Sequence, residues 1–201
     1  MMGYRLDRLT VLVVDDNQHM RSLIRTILEA LGVSSIIEAR EGQHALEKLT
    51  SQQVDLIIVD WNMEPMDGLA LTRHIRSAAD SPDPFVPIVM LSGHTEKARV
   101  MQARDAGITE FMAKPVSARS LYARIVSIIE NPRPFVRTKD YFGPDRRRQM
   151  LPFEGPERRQ AAEGAASTRP GGAGGAGGPL SGDQQAALKK AKDAIKTLQK
   201  S

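Results

Sequence analysis

Residues 56–68 read LIIVDWNMEPMDG. An apolar run, Leu56-Ile57-Ile58-Val59, stops at a carboxylate, Asp60, and passes into Trp61, Asn62 and a Met-Glu-Pro-Met-Asp-Gly turn. A short apolar run bounded by turn residues has the length of a buried strand. Such a strand gains nothing from an acid at its end, because a carboxylate withdrawn from water costs free energy unless it is paired. Asp60 therefore marks the point where a structural element hands over to chemistry.

Working outward, residues 10–130 alternate between two textures. Short β-branched or apolar runs fall at Thr10–Val14, Ser34–Glu38, Leu56–Asp60, Ile88–Leu91 and Glu110–Met112. Between and after them lie stretches with apolar residues at helical spacing. Their faces are Leu23, Ile24, Ile27, Leu28 and Leu31, then Ala45, Leu46 and Leu49, then Leu69, Leu71 and Ile75, then Val100, Met101 and Ala103, then Leu121, Ile125, Ile128 and Ile129. Strand and helix alternating five times predict an α/β doubly wound fold, a parallel sheet with helices on both faces and right-handed crossovers. The punctuation agrees. Asn17 is placed to cap the first helix, with Gly32 just past its end, Gly107 ends the fourth, and Ser117 caps the last. Asp67 before Gly68 reads as another helix cap, and the prolines of residues 81–87 make that stretch a loop.

After Glu130 the texture changes. Residues 131–170 read as a Pro/Arg-rich tail, 171–182 as a Gly-rich flexible linker, and 183–200 as a basic amphipathic helix with Leu188, Ala191, Ile195 and Leu198 on one face. The main domain is thus expected over 8–130, followed by a largely irregular tail ending in a short helix. Within the tail, Gly143-Pro144-Asp145-Arg146-Arg147-Arg148 is echoed by Gly155-Pro156-Glu157-Arg158-Arg159. Paired arginines suit anion recognition or partner docking, so Arg146, Arg147, Arg148, Arg158 and Arg159 are candidate contacts.

Composition narrows the functional classes. The 201 residues are 41% hydrophobic, enough for one ordinary core, and contain no cysteine. A disulfide framework and thiolate metal sites are excluded, and a reducing cytoplasm is the expected setting. No apolar run approaches the roughly 20 residues that span a bilayer, and Val11–Val14 followed by Asp15-Asp16 does not resemble a signal peptide. The net charge of +4 is unevenly spread: residues 1–130 hold 14 Lys+Arg against 17 Asp+Glu, and residues 131–201 hold 14 against 7. The basic character therefore belongs to the tail.

Ligands of open parallel sheets bind beyond the carboxyl ends of the strands. Those ends carry Asp15-Asp16, Asp60, Ser92-Gly93 and, just after the fifth strand, Lys114-Pro115. Three carboxylates delivered to one edge repel, so a cation must offset them. Lys114 is one candidate. The other is a hard divalent ion, for which oxygen-only ligands suit Mg²⁺. Asp60 can then act as a nucleophile toward phosphorus, Ser92 as a hydrogen-bond donor to a phosphoryl oxygen, and Lys114 as a neutraliser of developing charge.

These four blocks, VLVVDDN, LIIVDWNMEPMDG, IVMLSGH and FMAKP, occur in order across roughly residues 8–130, and together they resemble a response-regulator receiver domain of two-component signalling. The resemblance implies a flavodoxin-like strand order 2-1-3-4-5. It implies that Asp60 becomes an aspartyl phosphate and that Mg²⁺ is held by Asp15, Asp16, Asp60 and the backbone carbonyl of Asn62. It further implies that Ser92 and Phe111 are switch residues, that the Lys114–Pro115 bond is cis, and that Thr95–Glu130 carries the output face. The phosphoryl donor would be a sensor histidine kinase or a histidine phosphotransfer protein, acting on a signalling protein that promotes its own phosphorylation and slowly loses the group. A downstream protein would read the result. Ser92 and Phe111 stand where the family more often has Thr and Tyr, so a phenolic switch bond is not available. Asn62 and His94 stand at positions where members of that family tune phosphoryl lifetime.

Other residues have plainer readings. Trp61 is expected to be partly covered, Met63 and Met66 to pack in the loop, and His19, His44 and His74 to lie on helix faces. Two rival functions remain. An Asp-nucleophile phosphohydrolase usually has a second acid two residues after the nucleophile, where this chain has Asn62. A nucleic-acid-binding regulator would act through the basic tail, but no helix-turn-helix pattern follows the domain.

Overall fold

A computed structural model describes residues 6–146. The candidate arginines Arg147, Arg148, Arg158 and Arg159, the Gly-rich linker and the helix expected over 183–200 lie outside the described residues. Five strands, β1 (Thr10–Val14), β2 (Ser35–Ala39), β3 (Leu56–Asp60), β4 (Ile88–Ser92) and β5 (Glu110–Ala113), alternate with α1 (Gln18–Ala30), α2 (Gly42–Ser51), α3 (Gly68–Ser77), α4 (Lys97–Ala106) and α5 (Ala118–Glu130). All strand pairs in the sheet are parallel and the order is β2-β1-β3-β4-β5, the flavodoxin-like arrangement.

Side chains of a strand point alternately to its two faces, so a central strand covered on both sides must be apolar at every position. β3 and β4 are buried throughout. One face, with Leu12, Val14, Ile57, Val59, Ile88 and Met90, packs on α2, α3 and α4 through residues including Ala45, Leu49, Leu71, Ile75 and Ala103. The other, with Val11, Val13, Leu56, Ile58, Val89 and Leu91, packs on α1 and α5 through Ile24, Leu28, Leu121, Ile125 and Ile129. Truncating one of these fully buried side chains to alanine costs about 2–5 kcal/mol, so the sheet centre is the part of the fold least able to shift.

Helix ends follow their residues. The Asn17 side chain accepts from the backbone N–H of His19 and Met20, Asp67 accepts from Ala70, and Ser117 with Ser120 completes a capping box. Gly107, at φ 99°, closes α4 in the left-handed conformation that glycine adopts without strain. Not every expected apolar face is buried. Leu23, Val100 and Met101 are exposed, because α1 turns Ile24 and Leu28 inward and α4 buries only Ala103 and Ala106.

Structure continues beyond Glu130, where the domain boundary was expected. The chain past α5 forms an antiparallel hairpin, β6 (Phe135–Arg137) and β7 (Phe142–Pro144), seated on the main domain. Phe85, Phe135 and Phe142 form a mutual ring cluster with centroids 5.2–5.6 Å apart. Beneath it, Arg76 is buried, donating to the carbonyls of Gly107 (2.9 Å) and Pro84 (2.8 Å), with the Phe135 ring 5.1 Å from its guanidinium carbon. Burial draws the Arg76 pKa down to about 9, which still leaves it charged at neutral pH. Arg133 donates to the carbonyls of Thr109 and Asp145. The hairpin therefore sits at the amino ends of β4 and β5, the edge of the sheet away from Asp60.

Candidate functional site

Parallel pairing brings the carboxyl ends of β1 and β3 side by side, with Val14 opposite Val59, so the residues that follow open onto one edge. Asp15 is buried and Asp16 is exposed. The Asp15 carboxylate accepts from the Asn17 N–H (2.9 Å), which fixes its direction. Asp60 is buried at the end of β3, with 6% of its surface exposed. Each of Asp15, Asp16 and Asp60 offers one carboxylate oxygen, and the three lie within 4.8 Å of one another. At that distance each pair of unit charges repels by roughly 3.5 kcal/mol at an effective dielectric near 20.

Lys114 answers part of that repulsion. Its Nζ lies 2.9 Å from Asp60 Oδ1 and 3.2 Å from Asp15 Oδ2. The ammonium is delivered by the turn after β5, where the Lys114 N–H donates to the Ser92 carbonyl (2.8 Å) and the Lys114–Pro115 peptide is cis. Burial raises the Asp60 pKa above the ordinary aspartate value. Lys114 pulls the other way, and the nearby Asp15 charge adds to the upward push. For Lys114, burial works downward, but hydrogen bonding and attraction to Asp60 and Asp15 outweigh it and the ammonium is held above its ordinary range.

A divalent cation fits this donor set. Three carboxylates converge on a space they cannot neutralise among themselves, all ligands are oxygens, and Asn62 is exposed beside them. Ser92, at the end of β4, is buried, and its hydroxyl accepts from the His94 N–H (3.0 Å). Phe111 is half-buried and packs against the core beneath α2, α3 and α4.

Several features were hidden from sequence reading. Gly68 is required by close approach, since a Cβ there would run into the Asp60 carbonyl oxygen. The Gly68 N–H donates to the Trp61 carbonyl (3.0 Å), which closes the loop around Asp60. Arg21 donates to the backbone carbonyls of Asp15 (2.8 Å) and Asp16 (3.3 Å) and pairs with Glu38, clamping the acidic turn. Its spacing, one helical turn past the acid pair, was the available signal. Trp61 is more buried than expected and belongs to the core, with the Arg99 guanidinium 5.3 Å from its ring. Met63 is also core, Glu64–Pro65 is a second cis peptide, and the Nε2 of His74 lies 3.3 Å from Asp80. Arg146 lies far from the site. Its anion is within the chain, Asp105 at 3.2 Å, and its guanidinium carbon stacks 3.9 Å from the Tyr141 ring centroid.

An acidic trio bridged by a lysine at the carboxyl edge of a 2-1-3-4-5 sheet defines a class of phosphoacceptor signalling domain. Residues 11–126 match the family described as response regulator receiver domain, and the chain belongs to that family. Among curated relatives, the chemotaxis protein CheY of Pseudomonas aeruginosa is 34% identical over 120 residues, covering 60% of this chain and 95% of the relative. Chemotaxis protein CheY-3 of Vibrio cholerae is 32% identical, covering 60% and 91%. Among solved structures, V. cholerae CheY4 aligns with a TM-score of 0.55 at 28% identity, covering 60% of this chain and 98% of that one. The receiver domain of a Francisella response regulator gives 0.54 at 26% identity, covering 59% and 94%. The family match ends at residue 126, ahead of the basic tail. No helix among the described residues is long and apolar enough to cross a membrane.

Proposed function

We propose that this chain takes a phosphoryl group from a phosphohistidine donor onto Asp60, in a Mg²⁺-dependent transfer, and signals through the conformational change that follows. The observation that carries the reading is the Lys114 ammonium bridging Asp60 and Asp15 within the acidic trio. An Asp60 carboxylate oxygen forms a bond to phosphorus while the bond from phosphorus to the donor imidazole nitrogen breaks, and that nitrogen takes up a proton. Lys114 leaves the free carboxylate and neutralises the phosphoryl oxygens as charge develops. The Ser92 hydroxyl, already accepting from His94, still has its own proton to donate to a phosphoryl oxygen. Asp15, Asp16, Asp60 and the Asn62 carbonyl would hold Mg²⁺, which supplies charge neutralisation and in-line orientation when bound. Phe111 would respond by packing alone.

The donor is a sensor histidine kinase or a histidine phosphotransfer protein. The downstream protein is read from Thr95–Glu130, where Val100 and Met101 are exposed on α4. A reducing cytoplasm is the setting we infer from the absence of cysteine. Transfer from a radiolabelled phosphohistidine donor tests the donor and the metal together. Label should move to this chain with Mg²⁺ and should not move with excess EDTA. Equal labelling in both would remove the metal from the account.

A further inference from the structure

The hairpin and α4 meet at the end of the domain farthest from Asp60, and α4 is the element that joins the two ends. Its ten residues span about 15 Å. The amino end begins at Glu96, whose side chain makes no capping hydrogen bond, four residues after Ser92. Along its length the helix buries only Ala103 and Ala106, so the core holds it weakly compared with α1 or α5. Near the site it is steadied by Arg99 over Trp61, the residue next to Asp60.

Its far end is held by the hairpin. Asp105 pairs with Arg146 at 3.2 Å. A Cβ on Gly143 would lie 3.0 Å from the Gly107 Cα, and one on Gly107 would lie 3.1 Å from the Phe142 carbonyl oxygen. Arg133 and Arg76 tie the same corner through the carbonyls of Thr109 and Gly107. Two backbones that meet at glycine on both sides leave no slack, and close-packed contacts do not stretch to follow a displaced neighbour.

We propose that the hairpin of residues 133–146 is the receiver's own output arm: it is clamped to α4 in the resting domain and released when Asp60 carries a phosphoryl group. The inference rests on the proposed phosphoacceptor role of Asp60. The resting arrangement is the one described, with Lys114 directly on Asp60 and Ser92 Oγ held by the His94 N–H. When Ser92 turns to a phosphoryl oxygen, residues 93–96 follow, and α4, which buries only Ala103 and Ala106, shifts with them. The Asp105 and Gly107 end then leaves the seat to which Gly143 and Arg146 are fitted. Arg146 is thereby freed from Asp105 in the phosphorylated state. Coupling of this kind is reciprocal: whatever phosphorylation does to the clamp, breaking the clamp does to phosphorylation.

Hydrogen exchange on the full chain tests this, with and without a small acyl phosphate and Mg²⁺. The reporters are the amides of Thr138 and Asp145, which donate to the carbonyls of Tyr141 and Pro134. Phosphorylation should speed their exchange at least threefold, and Asp60→Asn should abolish the change. Arg146→Gln, an exposed substitution that spares the fold, should raise the phosphorylated fraction at a fixed donor concentration. If Asp60 is labelled while these amides change less than threefold or slow down, the inference is overturned and the phosphoacceptor reading stands. If no label is taken up, both fall.

Discussion

Replacing Phe142 with alanine separates a folded hairpin from a passive tail. Phe142 is half-buried, and its ring lies 5.2 Å from Phe85 and 5.6 Å from Phe135. A fully buried Phe→Ala change costs about 3–5 kcal/mol, and half burial brings that to roughly 2 kcal/mol on the same scale. Each ring pair adds about 0.5–1.5 kcal/mol, partly counted already. A total near 2–3 kcal/mol follows, about the loss of one good core contact. For an ordered unit of this size each kcal/mol moves Tm by about 3–4 °C, so the expected fall is roughly 6–12 °C. Thermal unfolding of the full chain by circular dichroism reads it, with exposed Leu23→Ala as a control expected within about 0.5 kcal/mol of wild type. A fall of less than about 2 °C, matching the control, would refute the claim that the domain extends past Glu130.

Four further outcomes follow from the site. The Asp60 pKa lies above its ordinary value, so between the two values the native state binds more protons and stability declines as pH rises. At neutral pH the ionised acid therefore costs stability, and Asp60→Asn should raise Tm by a few degrees without Mg²⁺, because Lys114 keeps Asp15 as a partner. Added Mg²⁺ should raise the Tm of wild type more than that of Asp60→Asn, measured by scanning calorimetry. Lys114→Met should slow phosphotransfer by about 10²–10³-fold and lower stability, since Asp15 and Asp60 lose their shared counter-charge, as stopped-flow and melting data would show. Gly68→Ala should cost about 1–3 kcal/mol in urea unfolding, because its methyl group meets the Asp60 carbonyl and the loop must move.

The fold and the gathering of Asp15, Asp16, Asp60 and Lys114 were legible for the same reason: both are written in local patterns. LIIVD shows a buried strand and its acidic end within five residues, and Asn17, Asp67, Ser117 and Gly107 announce their turns by chemistry that acts within four residues. The hairpin was not legible because its stability is not local. Phe135 and Phe142 sit in a stretch rich in proline and arginine and become core residues only when Phe85, some fifty positions earlier, completes the cluster. Arg76 was hidden likewise, since it reads as the polar side of a helix until Phe135 covers it. Arg146 looked like a free anion-binding group because Asp105, its partner, lies forty-one residues away in sequence. Val100 and Met101 misled in the opposite direction, their helical spacing suggesting a core face that two alanines supply instead.

The central claim is that Asp60 is the residue that takes the phosphoryl group. Intact-mass spectrometry of the full chain after incubation with a small acyl phosphate and Mg²⁺ measures it directly, followed by peptide mapping of the modified carboxylate. The account predicts the addition of a single phosphoryl group at Asp60 in wild type and none in Asp60→Asn. An unmodified wild type, or equal modification of the two proteins, would contradict it.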